Sequence, residues 1–249
     1  MQITSKSNPK IKKIASLKQK KYREEYGEYL VEGYKMVKEA FETRQDVLIV
    51  AGTAEGLMRS SDFVEKTDVE IVEVSESVME YISDSVTPQG IIAVIKKPKP
   101  SYKGDKVSVL LDGISDPGNM GTIIRTSVAL GIREIYLINC CDPFSPKVIR
   151  SSMSGIFSVD IFEESLKEAT EDLKGIPLIV ADMDGENIFS FTPPEKYCVV
   201  IGNEANGVSE EVRKRADKII SIPMEKGMES LNAGVSFAIT AYTLKYLRR

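Results

Sequence analysis

The stretch YCVVIGNEANGVSEEVRKRADKIISIPMEKGMESLNAGVSFAIT, residues 197–240, decides the fold. It contains two apolar runs with the character of strands, at residues 197–201 and 218–222. The first run leads into the polar segment 202–207, and the second into the segment 223–232. Open α/β sheets bind their ligands at the carboxyl ends of the strands, where the chain turns. The stretch therefore predicts a sheet with a binding site where its strands end.

The composition is typical of a soluble globular protein, because 42% of the 249 residues are hydrophobic and 28% are charged. This length predicts one large domain or two ordinary ones. No apolar run approaches the roughly 20 residues of a membrane-spanning helix, and the first residues contain no apolar signal-peptide core. Cys140, Cys141 and Cys198 form no disulfide framework. We therefore expect a cytoplasmic protein in a reducing compartment, with no membrane partner.

Histidine is absent from the sequence. Its absence excludes nucleophilic catalysis of the Ser-His-Asp and Cys-His types and argues against a catalytic zinc site. The adjacent Cys140 and Cys141 also lack the spacing of metal ligands, so we expect no metal. Any proton transfer must use a carboxylate, a lysine, a tyrosine, an arginine, a backbone group or water.

Positive charge is concentrated at the N-terminus, although the net charge of the chain is −4. Residues 1–23 contain eight basic residues and no acidic one. Such a cluster is typical of a surface that binds nucleic-acid phosphates; the alternative is a solvated cationic helix face. The eight residues are Lys6, Lys10, Lys12, Lys13, Lys18, Lys20, Lys21 and Arg23.

Two series of alternating strands and helices predict an α/β fold in two domains. Asn8 and Pro9 begin a helix in front of the first series, with its apolar residues on one stripe. A charged stretch with two prolines and no periodicity separates the series. We therefore predict domains at residues 1–96 and 107–249, with a linker at 97–106. The predicted strands of the second domain are 107–111, 134–138, 159–162, 178–181, 197–201 and 218–222.

Asn119 and Arg125 lie in a segment that connects a buried strand to a helix predicted at residues 120–130. Pro117 and Gly118 make a tight turn, and Asn119 is positioned to cap the helix. Arg125 is harder to explain by structure alone, because its helical neighbours are apolar or small. An arginine among such neighbours needs an anionic or hydrogen-bonding partner. We favour a functional role for Arg125, with a structural ion pair as the alternative.

The two polar segments of the opening stretch contain small residues that let the backbone approach a ligand. In residues 202–207, Gly-Asn-Glu-Ala-Asn-Gly, the glycines permit close approach and positive φ. The alternative is a turn in front of a helix that Ser209 caps. Ser230 and Asn232 precede a long helix predicted at 232–247, and exposed amides at a helix start bind polar groups. The alternative for Asn232 is ordinary capping.

In this order and spacing, residues 112–127, 202–207 and 222–232 resemble the three motifs of the SpoU (TrmH) family of RNA ribose 2′-O-methyltransferases. This family belongs to the larger SPOUT class, which has a trefoil-knotted methyltransferase fold. The resemblance implies an α/β protein whose C-terminal domain is a knotted, parallel-sheet methyltransferase domain. Residues 1–96 resemble the small L30e-like substrate-binding domain that often precedes it, through the basic N-terminus and residues 29–33.

The resemblance implies that S-adenosyl-L-methionine is the cofactor, in a pocket formed by the C-terminal loops. Gly202, Ile222 and Leu231 would contact it, largely through backbone groups, with Asn203 and Met224 beside them.

The resemblance also implies the catalytic residues. Arg125 matches the arginine assigned to the reacting ribose. An arginine is effectively never deprotonated in a protein, so we interpret Arg125 as an electrostatic stabiliser of the forming alkoxide, with a base role left open. Glu204 is expected to orient the loop or Arg125 and not to bind magnesium. The matching polar positions are Asn119, Glu204, Ser230 and Asn232.

The family's enzymes are homodimers whose active sites draw on both subunits. The predicted last helix fits, because Val235, Ala238, Ile239 and Tyr242 form an apolar stripe; this stripe could equally pack inside one subunit. The resemblance implies an RNA partner, and the candidate RNA contacts are Lys6, Lys10, Lys12, Lys13, Lys20, Lys21 and Arg23.

The substrate favoured by the added N-terminal domain is 23S or large-subunit rRNA, with tRNA as the alternative. A non-catalytic RNA-binding or ribosome-assembly protein on the same fold is the rival from another class. An enzyme that protects ribosomes from an antibiotic has the same chemistry, and the sequence does not separate it from a housekeeping enzyme.

Overall fold

The structure, a computed structural model, describes residues 2–64, 68–101, 104–227 and 230–246. The chain divides into two compact units. The first comprises Met1–Pro98 and Phe144–Phe157, and the second comprises Lys99–Pro143 and Ser158–Arg249. In the described ranges, no helix is both long enough and apolar enough to cross a membrane.

Strands and helices alternate along the chain, which confirms the predicted α/β class. The strands are β1 Glu28–Glu32, β2 Val47–Gly52, β3 Glu70–Glu73, β4 Ile91–Lys96, β5 Val107–Asp112, β6 Glu134–Ile138, β7 Asp160–Glu163, β8 Leu178–Asn187, β9 Tyr197–Gly202 and β10 Lys218–Ser221. The helices are α1 Pro9–Ser16, α2 Lys20–Tyr26, α3 Tyr34–Glu42, α4 Ala54–Arg59, α5 Ser61–Val64, α6 Glu76–Ile82, α7 Pro117–Ala129, α8 Pro146–Ser152, α9 Leu166–Asp172, α10 Glu210–Arg213 and α11 Ala233–Tyr246, with a 3-10 turn at Met153–Ser158.

The sheet of the first unit has the strand order β1-β4-β2-β3. Strand β4 pairs antiparallel with β1 and β2, and β3 pairs parallel with β2. The apolar stripe of α1 and the buried side of α6 join the core over this sheet, where Ile11, Ile14 and Val78 are completely buried. Asn8 caps α1 as predicted, since its side chain accepts a hydrogen bond from the Lys10 amide at 2.9 Å.

One of the candidate RNA contacts, Arg23, lies inside the first unit. Its side chain belongs to α2, a helix that the sequence did not predict, and the residue is only 3% exposed. The guanidinium donates a hydrogen bond to the Leu17 carbonyl at 2.7 Å. A guanidinium buried on a backbone carbonyl is not presented to a phosphate in solvent. Arg23 therefore stabilises the connection between α1 and α2, and we remove it from the candidate RNA surface.

Residues Phe144–Phe157 belong to the first unit, although they lie within the sequence predicted as the second domain. Their helix α8 packs against β1, and the ring centroids of Phe144 and Tyr29 are 4.9 Å apart. Arg150 of α8 forms an ion pair with Asp84 at 2.7 Å. The chain therefore passes between the units at three places, and the linker predicted at 97–106 accounts for the first of them.

The sheet of the second unit is parallel throughout and has the order β10-β8-β9-β5-β6-β7. The central strands β5 and β9 are buried, as their continuous apolar runs predict. From β5 the chain builds outward through β6 and β7, and then continues on the other side with β8, β9 and β10. The chain therefore leaves the neighbouring strands β5 and β9 toward opposite edges of the sheet, which makes the gap between them the switch point of the strand order. The crevice at such a switch point is where open α/β sheets bind ligands.

Helix α7 follows β5 and begins earlier than predicted. Asp116 is the capping residue, because its side chain accepts a hydrogen bond from the Asn119 amide at 2.9 Å, and Pro117 occupies the first turn. The interpretation of Asn119 as the helix cap was therefore wrong. Its side chain is left for other partners.

Helix α11 returns the chain from one side of the sheet to its middle. Strand β10 lies at the sheet edge beside β8, yet the helix that follows packs against α7 and β9. Phe237, Ala241 and Leu244 are buried in this contact. The return brings Ile222, Met224, Ser230 and Leu231 to the same cavity as the loop after β9, as expected for a knotted C-terminus.

Candidate active site

The three polar segments singled out in the sequence meet at the switch point of the parallel sheet. Residues 112–119 follow β5, residues 202–207 follow β9, and residues 222–232 connect β10 to α11. The Asn203 side chain joins the first two segments by donating a hydrogen bond to the Gly113 carbonyl at 2.8 Å. The structure therefore brings together segments that are about a hundred residues apart in the sequence.

The loop after β9 requires a glycine at its first position, because its backbone folds back on itself. Asn203 and Gly207 exchange two backbone hydrogen bonds of 2.8 and 2.9 Å. A β-carbon on Gly202 would lie 2.2 Å from the carbonyl carbon of Gly207. The Asn203 side chain also accepts the amides of Ala205 and Asn206, at 2.9 and 3.1 Å. The loop is therefore held in one shape by its own hydrogen bonds.

Side chains from all three segments form a chain of hydrogen bonds. Asn119 donates from Nδ2 to Glu204 Oε1 at 2.6 Å, and Asn232 donates from Nδ2 to Asn119 Oδ1 at 2.7 Å. Ser115 adds a longer hydrogen bond of 3.4 Å to the other carboxylate oxygen of Glu204. Asn232 also caps α11 by accepting the Val235 amide at 3.2 Å. Asn119 is only 6% exposed, so Glu204 orients a buried amide.

A cavity of about 430 Å³ opens beside this chain of hydrogen bonds. Its wall includes every residue that we expected to bind the cofactor, and two of the expected catalytic residues, Glu204 and Ser230. Asn119 and Asn232 connect to this wall through Glu204. The expected cofactor residues on the wall are Gly202, Asn203, Ile222, Met224 and Leu231.

Three charged residues on the cavity wall were missed by the sequence reasoning. They are Asp182 and Asp184 of β8 and Arg213 at the end of α10. Arg213 forms ion pairs with both carboxylates, at 2.5 Å to Asp182 and 3.4 Å to Asp184. The predicted strand ended at residue 181, and the pairing of β8 with β10 skips residues 181–185. The two aspartates therefore lie in an irregular stretch of β8 that no strand pattern marks in the sequence.

Arg125 lies apart from the cavity. It is exposed on α7, and its guanidinium makes no hydrogen bond or ion pair with the part of the chain that the structure describes. The structural ion pair that we considered as the alternative is therefore absent from the described ranges. Six residues separate Arg125 from Asn119, so the two side chains leave the helix on different faces.

The two cysteines near the site are not activated nucleophiles. Burial raises the pKa of the Cys140 thiol to about 12. Burial, followed by the carboxylate of Asp142, raises the pKa of the Cys141 thiol to about 11. Both are protonated at neutral pH, and it is the thiolate that reacts. Within the described residues, no three potential metal ligands converge. The cavity of this chain therefore offers amides, carboxylates, a serine hydroxyl and the guanidinium of Arg213 for its chemistry.

Comparison with known proteins assigns the class. Residues 106–242 match the SpoU rRNA Methylase family, and residues 8–93 match the MRM3-like substrate binding domain. The chain is 29% identical over 248 residues to the 23S rRNA (guanosine(2553)-2′-O)-methyltransferase RlmP of Bacillus subtilis, with 98% of this chain and 99% of that protein covered.

Solved structures agree with this assignment. A TrmH-family protein from Porphyromonas gingivalis is 33% identical and has a TM-score of 0.86, covering 96% of this chain and 98% of that one. The AdoMet-bound rRNA methyltransferase from Sinorhizobium meliloti is 25% identical with a TM-score of 0.87, covering 98% of this chain and 97% of that one.

The chain therefore belongs to the SpoU rRNA methylase family. It is an RNA ribose 2′-O-methyltransferase that uses S-adenosyl-L-methionine, which confirms the enzyme class and cofactor expected from the motifs and sets aside the non-catalytic alternative. The residues present fit this cofactor. Ile222 and Leu231 provide apolar side chains suited to adenine, the backbone at Gly202 can be approached closely, and carboxylates on the wall suit a sulfonium cation.

Replacing Gly202 with alanine tests whether the rigid loop forms the cofactor pocket. The added β-carbon would lie 2.2 Å from backbone atoms, so the loop must move. We expect about a five- to hundredfold loss of affinity for S-adenosylhomocysteine in calorimetry, since overpacking costs about 1–3 kcal/mol. Gly175→Ala is the control for backbone strain away from the pocket, because its β-carbon would meet nothing within 4 Å but its φ of +80° disfavours a side chain. An unchanged affinity in Gly202→Ala would mean that this loop does not shape the pocket.

Proposed function

We propose that this enzyme methylates the 2′-hydroxyl of one nucleotide in 23S rRNA, in the cytoplasm. The proposal is carried by the extent of its similarity to the Bacillus subtilis enzyme, which is named for 23S rRNA and aligns with 98% of this chain. The alignment includes the first unit, which has the substrate-binding match. The similarity is therefore not limited to the chemistry that the whole family shares. The alternative substrate is tRNA. Mapping 2′-O-methylated nucleotides in cellular RNA distinguishes the two substrates.

The role that we propose for Arg125 follows from the chemistry of the acceptor. The bound cofactor supplies an electrophilic methyl group on a sulfonium. A ribose hydroxyl is a poor nucleophile, so the negative charge that develops on its oxygen must be stabilised. Arg125 carries a permanent positive charge and several N–H donors. It would donate hydrogen bonds to the forming alkoxide and to a neighbouring phosphate, as a preorganised electrostatic stabiliser. The hydroxyl proton would pass to water or a carboxylate, and the methyl group would leave the sulfonium as a neutral thioether.

The amide and carboxylate residues hold the other half of the site. Glu204 fixes Asn119, and Asn119 fixes Asn232 at the start of α11, through the hydrogen bonds of 2.6 and 2.7 Å. Ser230 is exposed at the cavity wall and offers a hydroxyl to the ribose. In this proposal Glu204, Asn119 and Asn232 hold the cofactor-binding loops in place while Arg125 acts on the substrate.

We further propose that Arg125 acts in a homodimer, on the pocket of the partner subunit. Arg125 does not line the cavity of its own chain. To reach a bound substrate, its guanidinium would act at the cavity of another subunit. Helix α11 lies beside α7, and its Val235 and Tyr242 are 46% and 44% exposed. Ala238 and Ile239 of the same stripe are half-buried, so packing inside the subunit accounts for only part of the stripe, and its exposed part supports a dimer contact. A symmetric dimer through this surface would bury the stripe and carry Arg125 to the partner.

The RNA surface that we propose for the first unit combines lysines with exposed tyrosines. The ammonium groups of Lys6 and Lys18 lie 5.8 and 5.7 Å from the centre of the Tyr81 ring. Tyr81 and Tyr26 are 38% and 39% exposed. Exposed rings stack on unpaired bases, and ammonium groups beside them attract phosphates.

The lysines differ in how freely they can contact RNA. Lys10 forms an ion pair with Glu70, and Lys13 forms one with Glu28 at 2.7 Å. These carboxylates partly offset the two positive charges. The exposed candidates that carry most of the proposed surface are Lys6, Lys12, Lys20 and Lys21, of which Lys20 also forms an exposed ion pair with Glu24 at 3.5 Å.

The proposed substrate is tested by mapping 2′-O-methylated nucleotides in cellular RNA, with and without the gene. We expect one site in 23S rRNA to lose its methyl group in the deletion strain. A plasmid copy of the wild-type gene should restore it, and a copy with Arg125→Ala should not. Loss at a tRNA position alone would contradict the rRNA assignment. An unchanged map of rRNA and tRNA would contradict the proposed function.

The variant Arg125→Ala should lose methyl transfer and keep its cofactor. Removing one stabiliser of a developing oxyanion typically lowers kcat about 10²- to 10³-fold. The guanidinium does not line the cavity, so the Kd for S-adenosylhomocysteine should stay within about twofold. The measurements are methyl transfer to RNA and calorimetry on the same preparations. A parallel loss of cofactor affinity would show that Arg125 supports the pocket instead.

Mixed dimers determine which subunit supplies Arg125. One subunit carries Arg125→Ala and the other Gly202→Ala, so that each is inactive alone. If the arginine acts on the partner's pocket, each mixed dimer has one complete site. A randomly reassorted one-to-one mixture should then recover about a quarter of wild-type activity. If the arginine acts within its own subunit, no site is complete and the mixture stays inactive.

Neutralising Lys6, Lys12, Lys20 and Lys21 together to glutamine should weaken RNA binding and make it less salt-dependent. Each lost phosphate contact lowers the slope of log K against log salt by about 0.7 for single strands. The control replaces four exposed lysines of the second unit, Lys167, Lys174, Lys214 and Lys218, and makes the same change in net charge. Equal effects of the two sets would indicate a net-charge effect and contradict a localised surface.

A further inference from the structure

An ion-paired cluster lies on the cavity wall away from the Glu204–Asn119–Asn232 hydrogen bonds. It consists of Asp182 and Asp184, on β8, and Arg213, at the end of α10. The guanidinium donates from Nη1 to Asp182 Oδ2 at 2.5 Å and from Nη2 to Asp184 Oδ2 at 3.4 Å. A cation and an exposed anion therefore lie side by side on the cavity wall.

The members of this cluster differ in how firmly they are held. The Asp182 side chain is 14% exposed, and both of its oxygens are used, one by Arg213 and the other by the Asp184 amide at 3.2 Å. Asp182 therefore anchors the guanidinium. The Asp184 side chain is 74% exposed, and its contact with Arg213 is long. Its carboxylate is available to a ligand.

Arg213 also keeps unused hydrogen-bonding capacity. An arginine has five N–H donors, and two of those of Arg213 are engaged. The others have no partner in the part of the chain that the structure describes. Arg213 is also the one cation among the described residues of the cavity wall. An anionic group that enters the cavity would find its charge partner there.

We propose that Arg213 and Asp184 bind the amino-acid end of S-adenosylmethionine, with Asp182 as the positioning residue for Arg213. That end carries a carboxylate and an ammonium on the same carbon, so it needs a cation and an anion that are adjacent. Arg213 would donate to the carboxylate, and Asp184 would accept from the ammonium. The other described residues of the wall are apolar or neutral apart from Glu204, which is engaged by Asn119.

Two cofactor analogues isolate this contact. S-adenosylhomocysteine has the amino-acid end, and 5′-methylthioadenosine has the same adenosine and thioether but lacks that end. Calorimetry on the full chain gives both dissociation constants without RNA and without catalysis. We expect Arg213→Gln and Asp184→Asn each to weaken S-adenosylhomocysteine binding by about ten- to hundredfold, as for hydrogen bonds to charged groups. Binding of 5′-methylthioadenosine should change by less than about twofold.

The control variant is Arg215→Gln. Arg215 lies two residues further along, is exposed, and bonds to Thr170 instead of the cavity residues. Its affinities for both analogues should match the wild type. Asp182→Asn should act like Arg213→Gln, but more weakly, because it loosens the guanidinium without removing it. Thermal melting of each variant without ligand reports whether it is folded.

Three results would overturn the proposal. An equal loss for both analogues would mean that Arg213 shapes the adenosine part of the pocket. Unchanged affinity for S-adenosylhomocysteine in folded Arg213→Gln would mean that the cluster only ties α10 to β8. Weaker binding of S-adenosylhomocysteine by Arg213→Gln but not by Asp184→Asn would mean that Asp184 does not bind the ammonium. The proposal depends on the cofactor and not on the RNA target, so it can fail while the proposed rRNA substrate stands.

Discussion

The hydrogen bonds from Glu204 through Asn119 to Asn232 hold together three loops that are distant in the sequence. Asn119 precedes Glu204 by 85 residues and Asn232 by 113 residues. Asn119 is buried, and leaving a buried polar group without its partner costs about 1–3 kcal/mol. Each loop therefore stabilises the positions of the other two. Gly202 and Leu231, which line the cavity, lie within two residues of Glu204 and Asn232, so these hydrogen bonds help to hold the cavity wall together.

The fold and the position of the site could be predicted because both depend on apolar runs. A buried parallel strand is apolar on both faces, so β5 and β9 are visible without knowledge of the rest. The start of α7 was misjudged because Asp116, Pro117 and Asn119 are all residues that favour a helix start. The error concealed useful information, since an asparagine that is not needed as a cap is free to build a site.

The features that the sequence did not reveal depend on tertiary contacts. Asp182 and Asp184 extend β8 beyond its apolar part, where no alternation marks the strand. Arg213 lies in a helix of four residues with an acidic first turn, which resembles an exposed surface segment. The inclusion of Phe144–Phe157 in the first unit depends on contacts with β1, more than a hundred residues earlier. The knot came from family resemblance alone, since chain knots are very rare.

Arg125 and Arg213 of the methyltransferase unit use the same side chain in two different ways. Arg213 is anchored by Asp182, so its remaining donors point where the fold directs them. Arg125 has no partner in the described chain, and this keeps its full charge for the substrate. An internal carboxylate would already offset that charge and occupy its donors. A chain without histidine can still support the transfer, provided that a fixed positive charge lies where negative charge develops and that the hydroxyl proton passes to a carboxylate or to water.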